Sequence, residues 1–122
     1  MSRRAAMVVI ATLVGGGLCL SAPAQAAIPY APCQPDGAVA ADNVIAAALR
    51  PSMTGRRLGS SVTGYNISCA RAIVSNVQAR GLDQRAAVIA VTAAIAESSL
   101  HNYTVAVDAD SLGLFQQRPS KG

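Results

Sequence analysis

Glu97 is the only glutamate in the chain, and its setting is unusual for a carboxylate. The residues before it, Ala86 to Ala96, carry no charge and read as the most apolar helix of the sequence, with Glu97 at its C-terminal end. A low-dielectric surround penalises the ionised form, and the negative end of a helix dipole repels it. A carboxyl group so placed is expected to keep its proton to unusually high pH, as a general acid for cleaving a glycosidic bond must. The plainer reading is a frayed helix end that lets Glu97 reach water with no role. Asp108 and Asp110 are the candidates for a second carboxylate, although Asp-x-Asp-Ser is more commonly turn chemistry.

Other chemistries fit less well. Asp108, Asp110 and Gly113 match positions one, three and six of a calcium-binding loop, but Leu112 and Pro119 stand where essential ligands belong. One histidine, His101, and the distant cysteines Cys33 and Cys69 are too few for a zinc site, so no metal and no cofactor are expected. His101 reads as a loop residue without a partner to make it a base, and Arg118 as a solvated cation before a proline. Asn66-Ile67-Ser68 and Asn102-Tyr103-Thr104 fit a glycosylation sequon, which bears only on a eukaryotic host.

The elements that must position these residues can be read in outline. Ala27 to Gly37 contains Pro29, Pro32 and Pro35 and predicts an extended arm. Asp42 to Leu49 predicts a short helix ended by Pro51, and Ser52 to Gly64 a Gly- and Ser-rich linker. Asn66 or Ser68 would cap a helix whose Ala70, Ile73, Val74 and Val77 follow helical spacing, and Gly81 would close it. Asp83 then caps a second helix, Gln84 to about Glu97, across a connection so short that the two must be antiparallel. This second helix is apolar on every side, which predicts burial and asks for more packing than the first helix can give. Those partners would come from Asp42 to Leu49, from another chain, or from residues outside this sequence. Tyr103, Val105 and Val107 alternate with smaller or polar residues and predict a short strand ending in the turn Asp108 to Ser111. Gly113 to Gln117 would begin a new helix that Pro119 cuts short.

The N-terminus reads as a cleavable secretion signal: Arg3 and Arg4, an apolar run from Ala5 to Leu20, and the small-x-small site Ala24-Gln25-Ala26. Cys19 lies within it and lacks the context of a lipid-attachment site. Of 122 residues, 96 follow residue 26, and without Arg3 and Arg4 eight basic residues face six acidic ones. A formal charge of +2 is too mild to argue for nucleic acid, and nothing after the signal predicts stable membrane insertion. The surviving cysteines, Cys33 and Cys69, most simply form one disulfide, worth about 3–4 kcal/mol in so small a domain.

Two linked motifs carry a resemblance. Ala96-Glu97-Ser98-Ser99-Leu100-His101-Asn102, followed by Asp110-Ser111-Leu112-Gly113-Leu114-Phe115-Gln116-Gln117-Arg118-Pro119, resembles the catalytic segment of the lysozyme-like lytic transglycosylases, in particular a secreted bacterial branch. The resemblance implies that Glu97 is the general acid/base and that Ser98, Ser111, Gly113, Leu114, Phe115 and Gln116 line the sugar-binding cleft. It further implies peptidoglycan glycan strands as partner, with the substrate's own N-acetyl group assisting. Water as acceptor would make the protein a lysozyme, and the muramic acid 6-hydroxyl a transglycosylase.

The implied fold class is mainly α: a helical hairpin plus a short strand or turn, the N-terminal part of a lysozyme-like domain. Its members continue after the Arg-Pro-Ser segment with a Gly-Trp-Gly-like turn and further helices, whereas this sequence ends at Lys121-Gly122. A truncated form is therefore expected, its activity left open, arranged as signal 1–26, arm, helix and linker 27–64, and partial domain 65–122. The absence of tryptophan agrees with half a cleft, since sugar sites commonly stack rings on aromatic side chains. The alternative from another class is a secreted, disulfide-tied helical module that binds cell wall or protein without catalysis. Hydrolysis or transglycosylation, glycan specificity and oligomeric state stay open.

Overall fold

Three helices form where the apolar spacing and capping residues ask for them. In the computed structural model, which describes residues 27–106 and 108–121, they are α1 (Ala40–Leu49), α2 (Gly64–Ala79) and α3 (Gln84–Ser98). The chain is mainly α, and no strand forms among the described residues. The secretion signal read at residues 1–26 lies outside them. No helix of the described residues is long and apolar enough to cross a membrane.

Helix α1 starts two residues earlier than expected, because Asp42 works as a cap rather than as the first residue. Its carboxylate accepts from the Val39 N–H (2.9 Å) and takes a two-pronged ion pair from Arg71 of α2, at 3.1 Å from Nε and 2.9 Å from Nη2. The Asp42 side chain is only 2% exposed and that of Arg71 43%, so a buried carboxylate is tied to a partly exposed guanidinium between α1 and α2. Arg71 holds the Asp42 carboxyl below its ordinary range, with the Val39 N–H acting in the same direction. Gly64 is the second close point of the two helices. A Cβ there would land on the Asn43 side-chain amide and come within 3.2 Å of the Asn43 backbone nitrogen.

The start of α2 corrects the expected cap. Thr63 is the N-cap, and its N–H and hydroxyl both donate to Asn66 Oδ1 at 2.9 Å. Asn66 is buried inside the first turn, and its Nδ2 reaches the carbonyls of Ser99 (3.3 Å) and Leu100 (3.2 Å) beyond the end of α3. At its other end α2 closes as read, with Gly81 at φ +70° and the Leu82 N–H returning to the Val77 carbonyl. Asp83 caps α3 by accepting from the Ala86 N–H at 2.9 Å. One end of the pair is joined by a short turn and the other by Asn66, so α2 and α3 are antiparallel.

The core gathers Ala46 of α1, Cys69, Ile73 and Val77 of α2, Ala87 and Ala94 of α3, and Leu58, Val62 and Leu100 between elements. Leu58 and Val62 correct the reading of 52–64 as a bare linker: two isolated apolar residues suffice to fold the segment inward, and Val62 is fully buried. Arg50 fixes it by donating from Nε to the Val62 carbonyl.

Helix α3 corrects the expectation of burial on all sides. Ala87, Ala94 and Ser98 face the core, while Val88 and Ile89 on the opposite face are 59% and 60% exposed. The physical reason is the one the sequence posed. Helix α1 packs on α2 and leaves the outer face of α3 uncovered.

Two further expectations fail for backbone reasons. The alternation after Tyr103 does not make a strand, because the segment that meets it is the arm, where Pro29 and Pro32 have no N–H to donate. Pairing stops at one antiparallel bridge, Tyr30 with Tyr103, flanked by Ala31 N–H to Asn102 O (2.9 Å) and Thr104 N–H to Pro29 O (3.1 Å). Gly113 to Gln117 does not start a helix either, since Gly113 and Gln116 both take positive φ. The segment closes as a turn instead, with Leu112 and Gln117 exchanging both backbone hydrogen bonds at 3.0 Å.

Candidate functional site

The end of α3 is a left-handed cap built without glycine. Ser99 and Leu100 take φ +52° and +55°, and the Leu100 N–H returns to the Ala94 carbonyl while its side chain enters the core. Non-glycine residues rarely adopt this conformation, and two in succession need a surrounding that fixes them. Asn66 supplies it by donating to both of their carbonyls.

Ser98 joins this cap to the downstream motif. Its hydroxyl lies 2.7 Å from the Leu114 carbonyl and 3.0 Å from that of Ala94, and it accepts from the His101 N–H at 3.2 Å. The shorter contact takes the hydroxyl proton, so the last turn of α3 is pinned to the 112–117 turn. Ser98 is 3% exposed and Ser111 6%, which gives both a supporting place beneath the surface and not one open to a sugar. Gly113 donates its N–H to the Tyr103 carbonyl at 3.0 Å, and its carbonyl accepts from Gln116 Nε2 at 2.9 Å. Leu114 is partly buried against the core, and Phe115 is 39% exposed.

Glu97 stands beside this junction and is exposed. Its carboxylate makes no hydrogen bond or ion pair among the described residues. The apolar surround expected from the sequence is not present, because Glu97 is exposed at the end of a helix that α1 leaves partly uncovered. The residues expected to act together are divided. Leu114 and Phe115 border an apolar groove of ≈ 440 Å³ with Ile73, Val77, Leu82 and Ala90. Gly113 borders a more polar groove of ≈ 650 Å³ with Asn102, Tyr103, Gln117, Arg118 and Lys121. Glu97 lines neither.

Beside the polar groove lies a ring cluster the sequence did not announce. His101 stacks on Tyr103 with centroids 5.6 Å apart and meets the edge of Tyr30 at 5.0 Å, while Tyr30 packs on Tyr65 at 4.5 Å. His101 therefore has partners, and its Nδ1 faces the Ser98 carbonyl at 3.2 Å. The Tyr65 hydroxyl donates to Ala31 O (2.8 Å) and accepts from the Asn102 N–H (3.0 Å), and burial pushes its pKa up. The one legible hint was the cysteine three residues after Tyr30. Cys33 bonds Cys69 of α2, with Cα atoms 4.8 Å apart, and thereby lays the arm across this loop.

The 108–111 turn is turn chemistry, with the Ser111 N–H returning to the Asp108 carbonyl at 2.9 Å. Arg118 is exposed, as read, and also pairs on the surface: its Nε donates to Asp110 at 2.7 Å, and the Ser120 N–H binds the other carboxylate oxygen. Arg118 foremost, then Ser120, hold the Asp110 pKa down to about 2. Comparison with protein-family models, with curated proteins and with solved structures finds no match.

Proposed function

We propose that the protein is a secreted cleaver of peptidoglycan glycan strands in which Glu97 is the general acid/base, and that its domain from residue 65 onward is lysozyme-like. The observation that carries this reading is the Ser98 to Leu114 hydrogen bond, which holds the helix ending in Glu97 against the Gly113 to Gln116 turn. Two motifs 16 residues apart are thereby tied together beneath the surface. Glu97 would protonate the leaving glycosidic oxygen and then, as carboxylate, activate the acceptor. Its exposure means that covering by the glycan must supply the low-dielectric surround such an acid requires. The disulfide supports an oxidising compartment.

The test is mass spectrometry of purified peptidoglycan incubated with the protein and with its Glu97→Gln variant. Anhydromuramyl products that vanish in the variant would mark a lytic transglycosylase, and reducing-end products a lysozyme. The same products from both proteins would sink the assignment of Glu97.

A second reading is favoured by the rings of Tyr30, His101 and Tyr103 beside a polar groove that Glu97 does not line: a module that binds cell wall without cleaving it. Wall pull-down unchanged by Glu97→Gln and abolished by Tyr103→Ala would favour that reading.

A further inference from the structure

The arm, the ring cluster and the polar groove form one mechanical chain that starts at the disulfide. Cys33 is half-buried and Cys69 fully buried, so the bond fixes residues 29–33 against α2. The fixed arm gives its Ala31 N–H and Pro29 carbonyl to Asn102 and Thr104 and its Tyr30 ring to His101. Tyr65, four residues before Cys69 on α2, binds arm and loop together through its hydroxyl. The loop in turn holds the Gly113 N–H through the Tyr103 carbonyl. Asn102, Tyr103 and Gly113 are one wall of the polar groove. The arm itself has no helix, and its three prolines leave it few donors, so little besides the disulfide and these bonds holds it in place.

We propose that the Cys33–Cys69 disulfide is a redox gate: its formation seats the arm and thereby builds the groove wall, and its reduction dissolves that wall while the α2–α3 hairpin stays folded. This regulates the site of the proposed function and rests on that reading only for what the groove does, since the gate is a statement about structure. A dithiol supplies the chemistry. Its thiolate attacks Cys33 Sγ, the more accessible sulfur, to form a mixed disulfide, and Cys69 Sγ leaves with the electron pair and takes up a proton. The second thiol of the reagent then attacks the mixed disulfide and releases Cys33, so two electrons and two protons pass to the protein and the dithiol becomes a disulfide. A chain kept reduced before export would carry an unbuilt site, and exchange with an external disulfide, which takes up the two electrons and two protons and leaves as a dithiol, would complete it.

The experiment is amide hydrogen exchange on the oxidised protein, on the same protein reduced with dithiothreitol, and on a Tyr65→Phe variant kept oxidised. On reduction the amides of Ala31, Asn102, Thr104 and Gly113 should lose about tenfold or more in protection while those inside α2 and α3 hold theirs. Tyr65→Phe should loosen the Asn102 amide with the disulfide intact. Unchanged protection on reduction overturns the gate. Uniform loss through α2 and α3 overturns it as well, because the bond would then be a staple for the whole fold, and so does an Asn102 amide indifferent to Tyr65→Phe. A protein that never cleaves peptidoglycan in either redox state defeats the proposed function and leaves the exchange result to decide the gate.

Discussion

Asp42 shows how one side chain can hold two helices and make their union sensitive to acid. It caps α1 and pairs with Arg71 while almost fully buried, so its loss removes both bonds at once. Asp42→Asn is expected to cost about 1.5–3 kcal/mol near neutral pH, the range for hydrogen bonds to charged groups. The folded-state pKa lies below the unfolded value, so this stabilisation is fully present above pH of about 4 and is lost as pH falls through the lowered value. Thermal melts from pH 7 to pH 2 should show the parent and Asp42→Asn converging at the acid end. A gap between them that stays constant with pH would refute the linkage. Ser98 is the corresponding residue at the site. Removing its hydroxyl leaves the Leu114 carbonyl without this donor, and Ser98→Ala should destabilise by about 1 kcal/mol in denaturant titration. The sequence marked Ser98 as important through the motif, but nothing in it revealed a side chain turned inward to a carbonyl 16 residues away.

At the scale of elements, the closest approach is α1 against α2 at Gly64. A methyl group there would overlap the Asn43 amide, and the nearby Asn43 backbone nitrogen limits how far α2 can shift to make room. Gly64→Ala is expected to destabilise by about 1–3 kcal/mol, as overpacking of a tight contact does, although alanine is the better helix former. A rise in melting temperature would show that α1 moves freely. The helical hairpin was legible because its signals are local: apolar residues at helical spacing, Gly81 after one helix, Asp83 before the next. The strand after Tyr103 and the helix after Gly113 were misread because each depends on something distant or conformational. A strand needs a partner with donors, and the arm that arrives is interrupted by proline. A helix needs negative φ throughout, and Gly113 and Gln116 leave that region.

Across the whole molecule, the consequential feature is an apolar surface on α3. Val88 and Ile89 are more than half exposed, and Val88 joins Val74, Leu82 and Val91 around a groove of ≈ 610 Å³ between α2 and α3. Residues that face solvent contribute little to folding, so Val88→Thr with Ile89→Thr should change stability by no more than about 0.5 kcal/mol each. The melting temperature measures this, and a large drop would mean that the face is covered in solution.

The sequence by itself determined what neighbours in the chain control: helix limits within a few residues, the Gly81 close of α2 and the Asp83 cap of α3, the antiparallel hairpin and the cysteines that pair. Tertiary structure alone decided the rest. The exposure of Glu97 depends on what lies over α3, and no local pattern encodes the absence of a cover. The buried places of Ser98 and Ser111, the weld of Asp42 to Arg71 and the laying of Tyr30 on His101 join residues that meet only after the helices have packed. Local propensity acts over a single turn of backbone, whereas burial and hydrogen-bond partners are set by segments whose distance apart in sequence carries no sign of their contact.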